Sequence, residues 1–162
     1  MLDVIIRNGW IADGTGNPAY PADVAIQGDK IVAVGKIDAA AEAKRVIDAA
    51  GKVVCPGFVD AHSHSDFTIL FNPECQSTIR EGVTTEIVGN CGMSLAPLSE
   101  GSRPLVAGRL GRYGKVPEIN WTTYGELLDV IGELGTTMNF AWLVGHNTVR
   151  QAAGVVGPQA SE

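Results

Sequence analysis

No stretch of this sequence stays apolar for long. Gly, Pro or a charged residue interrupts every hydrophobic run well short of the ~18 residues that a membrane-spanning helix needs, so no membrane association is expected. The N-terminus, MLDVIIRNG, carries Asp3 where a secretory leader carries basic residues, and its apolar run is too short for one. A basic surplus is also missing. Twelve Lys and Arg against 18 Asp and Glu leave a net charge of −6, without runs of either sign. Duplex nucleic acid, which needs clustered cations against its phosphates, is therefore excluded as a partner. Cysteine is scarce and odd in number: Cys55, Cys75 and Cys91, with no C-x-x-C spacing. That pattern fits a reduced, cytoplasmic protein with free thiols or a thiolate ligand, not a disulfide framework. G-x-S-x-G and G-x-x-x-x-G-K-[ST] are absent, which removes serine-hydrolase and P-loop readings.

What is present is enough apolar surface, 45% of 162 residues, to build a substantial core. Residues 1–56 form a first, small β subdomain, an antiparallel sheet or part of a β-sandwich. DVIIRN, ADVAIQ, KIVAVG and KVVCP are β-rich pieces between turn-forming segments, with a hairpin expected around Gly28-Asp29. AAAEAKR, residues 39–45, is the one helix candidate there.

The pattern changes at Pro56-Gly57. GFVDAH, TTEIVGNCG and MNFAWLVGHNTVR read as apolar strands of the buried, parallel kind, each running into a polar or glycine-rich loop. PECQSTIREG between the first two reads as a helix, with Pro73 in its first turn and Gly82 at its end. Residues 97–120 read as a long loop insertion with one helical piece. Thr123 and Glu126 have capping-box spacing before Tyr124, Leu127, Leu128, Ile131 and Leu134, and Gly135 ends that helix. Strands alternating with helices imply βαβ units on a parallel sheet, an α/β fold.

The strand ends carry the chemistry. In PGFVDAHSHSD, His62 and His64 are two apart, so they project to one side if the extended backbone continues through them. Two converging imidazoles suit zinc or a similar divalent ion. An H-x-H pair alone is weak, since many are surface or capping residues. Asp60 could orient a ring or pack below it, and Asp66 lies within reach as a supporting group. Cys91, in GNCG at the second strand end, reads alone as a small buried hydrophobe; beside two histidines it becomes a natural metal donor. Cys55 and Cys75 read as packing residues. His146, in GHNTVR, could be a site residue, an acid/base group or a satisfied polar residue under a loop; spacing leaves the three open. Arg103, Arg109, Arg112 and Lys115 in the long loop could attract a carboxylate or simply be solvated.

Taken in order, PGFVDAHSHSD, EGVTTEIVGNCGMS and LVGHNTVR, with IADGTG and GDKIVAVG in the small sheet, resemble the amidohydrolase superfamily, in its N-acyl-D-amino-acid deacylase (D-aminoacylase) branch. The resemblance implies the N-terminal part of a TIM-like (β/α)8 metal-dependent hydrolase barrel, preceded by the small β-sandwich. About three β/α units would lie in residues 57–162. It implies His62, His64 and Cys91 as ligands of one or two zinc ions, the thiolate standing where other branches use a carboxylated lysine. The implied chemistry is attack of a metal-bound hydroxide on the amide of an N-acyl-D-amino acid. A complete barrel typically needs ~250 residues. Further histidines and a catalytic aspartate are expected beyond this chain, and the remaining C-terminal part of the barrel as its partner. Such an incomplete arc is expected to be inactive alone, poorly soluble and weak in metal binding. Two other readings stay open: a non-catalytic metal-binding or interaction fragment, and a cyclic-amide hydrolase of the same superfamily.

Overall fold

The computed structural model describes residues 1–155 and 157. The chain divides at Pro56/Gly57 into two compact units. In the first, strands β1 (Leu2–Ile11), β2 (Tyr20–Gln27), β3 (Lys30–Gly35), β4 (Ala43–Asp48) and β5 (Val53–Val54) form one five-stranded sheet ordered β3-β2-β1-β4, with β5 also on β1. The hairpin expected at Gly28-Asp29 is there: Gln27 faces Lys30, Gly28 has φ 61°, and its amide donates to Asp3 Oδ2 at 2.7 Å. The sheet is mixed instead of antiparallel, because β4 and β5 both run parallel to β1. The helix expected over 39–45 is absent. Ala43, Lys44 and Arg45 enter β4, where Leu2 pairs with Ala43, Val4 with Arg45, and Lys44 Nζ reaches Asp3 at 2.6 Å. Pairing with the central strand outweighs the modest helical preference of an alanine-rich stretch.

In the second unit, β6 (Phe58–Asp60), β7 (Val83–Val88) and β8 (Asn139–Trp142) form a parallel sheet in that order. Helices α1 (Gln76–Arg80), α2 (Arg103–Leu110), α3 (Tyr124–Leu134) and α4 (His146–Ala152) alternate with them, as an α/β fold requires. The α3 capping box is formed as the sequence implies: Thr123 Oγ1 accepts from the Glu126 amide, and Glu126 Oε2 accepts from the Thr123 amide at 2.9 Å. Helix α1 is shorter than expected. It begins at Gln76, after Cys75 in a left-handed conformation (φ 46°), so Pro73 precedes it.

Three further expectations are corrected. Strand β6 is parallel but not buried, since Phe58 and Val59 are 57% and 62% exposed. Among the described residues it pairs on one side only, with β7. The 97–120 segment is no loose insertion. Leu98, Val106 and Leu110 join Phe67, Ile69, Leu95 and Trp121 in the core, and Trp121 Nε1 donates to the Leu95 carbonyl at 2.9 Å. GHNTVR does not form a loop after β8 but opens α4. The first-turn amides of that helix, on Asn147 and Thr148, are satisfied by the Gly92 carbonyl at 2.8 and 3.2 Å. Those donors commonly go to a local Ser, Thr or Asp cap. Here the partner comes from another strand end, which no local pattern announces. None of the helices among the described residues is long and apolar enough to cross a membrane.

Candidate metal centre

The carboxyl ends of β6 and β7 bring three side chains together. One ligand atom each from His62, His64 and Cys91 lies within 4.8 Å of the others. His62 Nε2 sits 3.2 Å from Cys91 Sγ, and the two imidazoles stand edge to face with centroids 5.6 Å apart. His62 and Cys91 are exposed, and His64 is half-buried.

The backbone explains the convergence. Strand β6 stops at Asp60, so the histidines lie in the following segment, yet the Ser63 amide still donates to the Ile87 carbonyl at 3.1 Å. The chain bends at Ala61 and His62, so strand alternation is not what aligns the rings; that bond instead ties the segment between them to the end of β7. Ser63 Oγ donates to Glu86 Oε2 at 2.8 Å. Asn90 Nδ2 completes the clamp by donating to the carbonyls of Ser63 at 3.1 Å and Ile87 at 2.7 Å. On the β7 side, Gly89 (φ 82°) and Cys91 itself (φ 55°) are left-handed, which turns the thiol back toward the histidines. A Cβ on Gly89 would run into the Leu143 carbonyl, so only glycine fits that turn.

Asp60 orients no ring; its Oδ1 accepts from the His62 backbone amide at 3.0 Å. Asp66 is fully buried. Burial pushes its carboxyl up to about 7, with Glu86 adding to the rise and the amides of Asp66, Phe67 and Gly89 opposing it. None of those amides makes a hydrogen bond of good geometry to either oxygen. His146 is exposed at the first position of α4 and is not one of the three grouped donors. Cys75 is buried as expected, and burial pushes its thiol up, with Glu86 contributing. Cys55 is exposed, contrary to a packing role.

Ser63, Glu86 and Asn90 were not singled out from the sequence. The signal for Glu86 was available: a lone carboxylate inside TTEIVG, an otherwise apolar parallel strand. Charges in such positions persist when a specific partner satisfies them.

The donor set fits a borderline-soft divalent ion. Imidazole and thiolate are the ligands zinc prefers, and His64 Nδ1 is a buried ring nitrogen with no hydrogen-bond partner. A ring nitrogen without a partner, on an imidazole grouped with a thiol and a second imidazole, accords with a metal-binding role.

Residues 45–154 match the amidohydrolase family model, and the chain belongs to that family. An N-acyl-D-aspartate deacylase of Alcaligenes xylosoxydans xylosoxydans is 40% identical over 153 residues, 94% of this chain. The crystal structure of a D-aminoacylase superposes with a TM-score of 0.81 at 39% identity, covering 94% of this chain and 31% of that one. An N-acyl-D-glutamate deacylase from Bordetella bronchiseptica, solved with zinc and a phosphonate mimic of the tetrahedral intermediate, gives 0.79 at 34% identity, covering 94% and 31%. The chain thus spans about 30% of the length of the curated relatives it matches.

Proposed function

We propose that the protein containing these residues hydrolyses the amide bond of N-acyl-D-amino acids, and that His62, His64 and Cys91 hold its metal, one or two zinc ions. The observation that carries this reading is the approach of two imidazoles and one thiol to within 4.8 Å at the carboxyl ends of adjacent parallel strands. Active sites gather at that end of parallel α/β sheets. The N-acyl-D-aspartate and N-acyl-D-glutamate deacylases among the similar proteins support the substrate class.

Zinc bound there supplies Lewis-acid polarisation of an amide carbonyl and a water nucleophile usable at neutral pH. This chain's residues do the rest of the local work. His62 and His64 offer neutral nitrogens, Cys91 gives up its proton to become a thiolate ligand, and the Ser63–Glu86–Asn90 clamp fixes the spacing between them. His146 is proposed as a substrate-facing acid–base group; its helix is anchored to the Cys91 loop through Gly92. The arrangement fits a TIM-like (β/α)8 barrel of which residues 57–162 would form about three units, with residues 1–56 as a separate small sheet. Segments in the remaining length of the relatives would supply further ligands. A reducing, cytoplasmic setting accords with the free thiols of Cys55, Cys75 and Cys91.

The test is release of free amino acid from N-acetyl-D-methionine, N-acetyl-D-glutamate and N-acetyl-D-aspartate by the zinc-loaded full-length protein. Turnover of at least one, with the L-isomers inert and Cys91→Ala reducing the rate by about 100-fold or more, is the expected result. Turnover of cyclic amides with none of N-acyl-D-amino acids would remove the reading.

A further inference from the structure

The cavity beside His64 has a lining that amide hydrolysis by itself does not explain. It measures about 430 Å³ and is walled by His64, Phe67, Met93, Arg109, Arg112 and Tyr113. A second cavity of about 330 Å³ shares Met93 and Arg109 and adds Arg150. The chain carries 18 carboxylates against 12 basic side chains, yet neither wall contains a carboxylate and together they hold three guanidiniums.

The arginines of this region fall into two kinds. Arg103, at the start of α2, is occupied: its Nη1 donates to the carbonyls of Ile119 and Trp121 at 2.8 and 2.9 Å, and its Nη2 to Thr122 Oγ1 at 3.0 Å. It ties the end of the 97–120 segment to its helix. Arg109, in the last turn of α2, is not occupied. Its Nη1 is buried with no hydrogen-bond partner, and Nη2 meets only Gln151 Oε1 at 3.4 Å. Neither Arg109 nor Arg112 forms an ion pair among the described residues. The Arg112 amide donates to the Arg109 carbonyl at 3.2 Å, so the helical turn continues past α2 and brings the two side chains, three positions apart, to one side. Attraction to the helix C-terminus would account for a cation in the last turn, but not for a buried donor left unpaired, which is costly.

A planar guanidinium with free donors, above an apolar wall of Phe67, Met93 and Tyr113, matches a carboxylate carried on a short aliphatic arm. We propose that this cavity is a side-chain subsite in which Arg109, assisted by Arg112, binds a second carboxylate of the substrate. The protein therefore prefers N-acyl-D-amino acids with acidic side chains to neutral ones of the same size. This rests on the deacylase reading and adds to it the residues that select the substrate.

Two measurements on the zinc-loaded full-length protein separate the proposals. Binding of the non-hydrolysable amines D-glutamate and D-glutamine, near-isosteres differing in charge, is measured by calorimetry. Hydrolysis of their N-acetyl derivatives is measured as kcat/KM. D-glutamate is expected to bind about tenfold or more tightly than D-glutamine, the value of one charge-assisted contact. Arg109→Gln should erase that preference by lowering D-glutamate affinity about tenfold. Arg112→Gln, at an exposed position that folding tolerates, should reduce it in part, and Arg109→Lys should restore it incompletely because lysine lacks the fork. Equal affinity of the wild type for the two amines, or a preference retained in both Gln variants, overturns the subsite. Equal kcat/KM for the two amides overturns it while leaving the deacylase reading intact. Charge-selective binding without any turnover upholds the subsite and removes the deacylase reading.

Discussion

Ser63 Oγ donates a 2.8 Å hydrogen bond to Glu86 Oε2, so the residue between the two histidines is tied to the middle strand by a carboxylate only 1% exposed. That bond, with Asn90 Nδ2 on the Ser63 carbonyl, fixes the backbone from which His62 and His64 reach Cys91. Outer partners of metal ligands typically contribute 10- to 100-fold in affinity. Glu86→Gln should therefore weaken zinc binding about tenfold in chelator competition, and Ser63→Ala by a similar factor, with the fold retained in circular dichroism. Unchanged affinity in both variants would mean that the clamp does not position the histidines.

The two cysteines of the second unit, Cys75 buried and Cys91 exposed, should separate cleanly in a cobalt-substituted sample. Cys91→Ser should abolish the thiolate-to-cobalt charge-transfer band and lower affinity by at least about tenfold. Cys75→Ser should leave the band in place and destabilise the fold by ~1–2 kcal/mol, the cost of placing a hydroxyl at a buried site. A band that survives in Cys91→Ser but vanishes in Cys75→Ser would reverse the assignment.

The α3 capping box gives a prediction with a sign in pH. The Thr123 and Thr122 backbone amides hold the Glu126 carboxyl below its ordinary 4.5. A carboxyl lowered in the folded state stabilises above its unfolded pKa and loses that contribution as pH falls through the folded value. Thr123→Ala should cost ~1 kcal/mol in urea denaturation at neutral pH. In Glu126→Gln the dependence of stability on pH below about 4.5 should become flatter. An equally steep dependence in that variant would show that the carboxylate is not held as described.

Association is expected of the 162-residue chain in isolation. Phe58 and Val59 on β6, with Leu143 and Val144 beyond β8, are between 47% and 62% exposed. Strand β6 also pairs on one side only among the described residues. Exposed apolar side chains beside an unpaired edge favour edge-to-edge pairing. Light scattering after size exclusion should show oligomers at micromolar concentration, and Val59→Lys should shift them toward monomer. A monodisperse wild-type monomer with a cooperative melt would contradict this.

Much of the local structure could be read from the residues themselves. The hairpin at Gly28-Asp29 and the stop of α3 at Gly135 use the left-handed freedom of glycine, and the start of α3 uses the Thr123–Glu126 capping box, all local signals. That His62 and His64 lie near one another is legible from their separation of two positions, but the backbone bends at Ala61 and His62, so their orientation was not. Other features depend on partners distant in sequence. Residues 43–45 became a strand because β1 offered open hydrogen bonds. The opening of α4 at His146 depends on the Gly92 carbonyl, 55 and 56 positions back from the Asn147 and Thr148 amides, with no capping side chain to announce it. Cys91 meets the histidines only because Gly89 turns against Leu143 and Glu86 grips Ser63. The sequence by itself determined which donors were available and how far apart along the chain they stand. Only the tertiary structure decided which of them meet, because convergence depends on long-range backbone bonds and burial that no local spacing records.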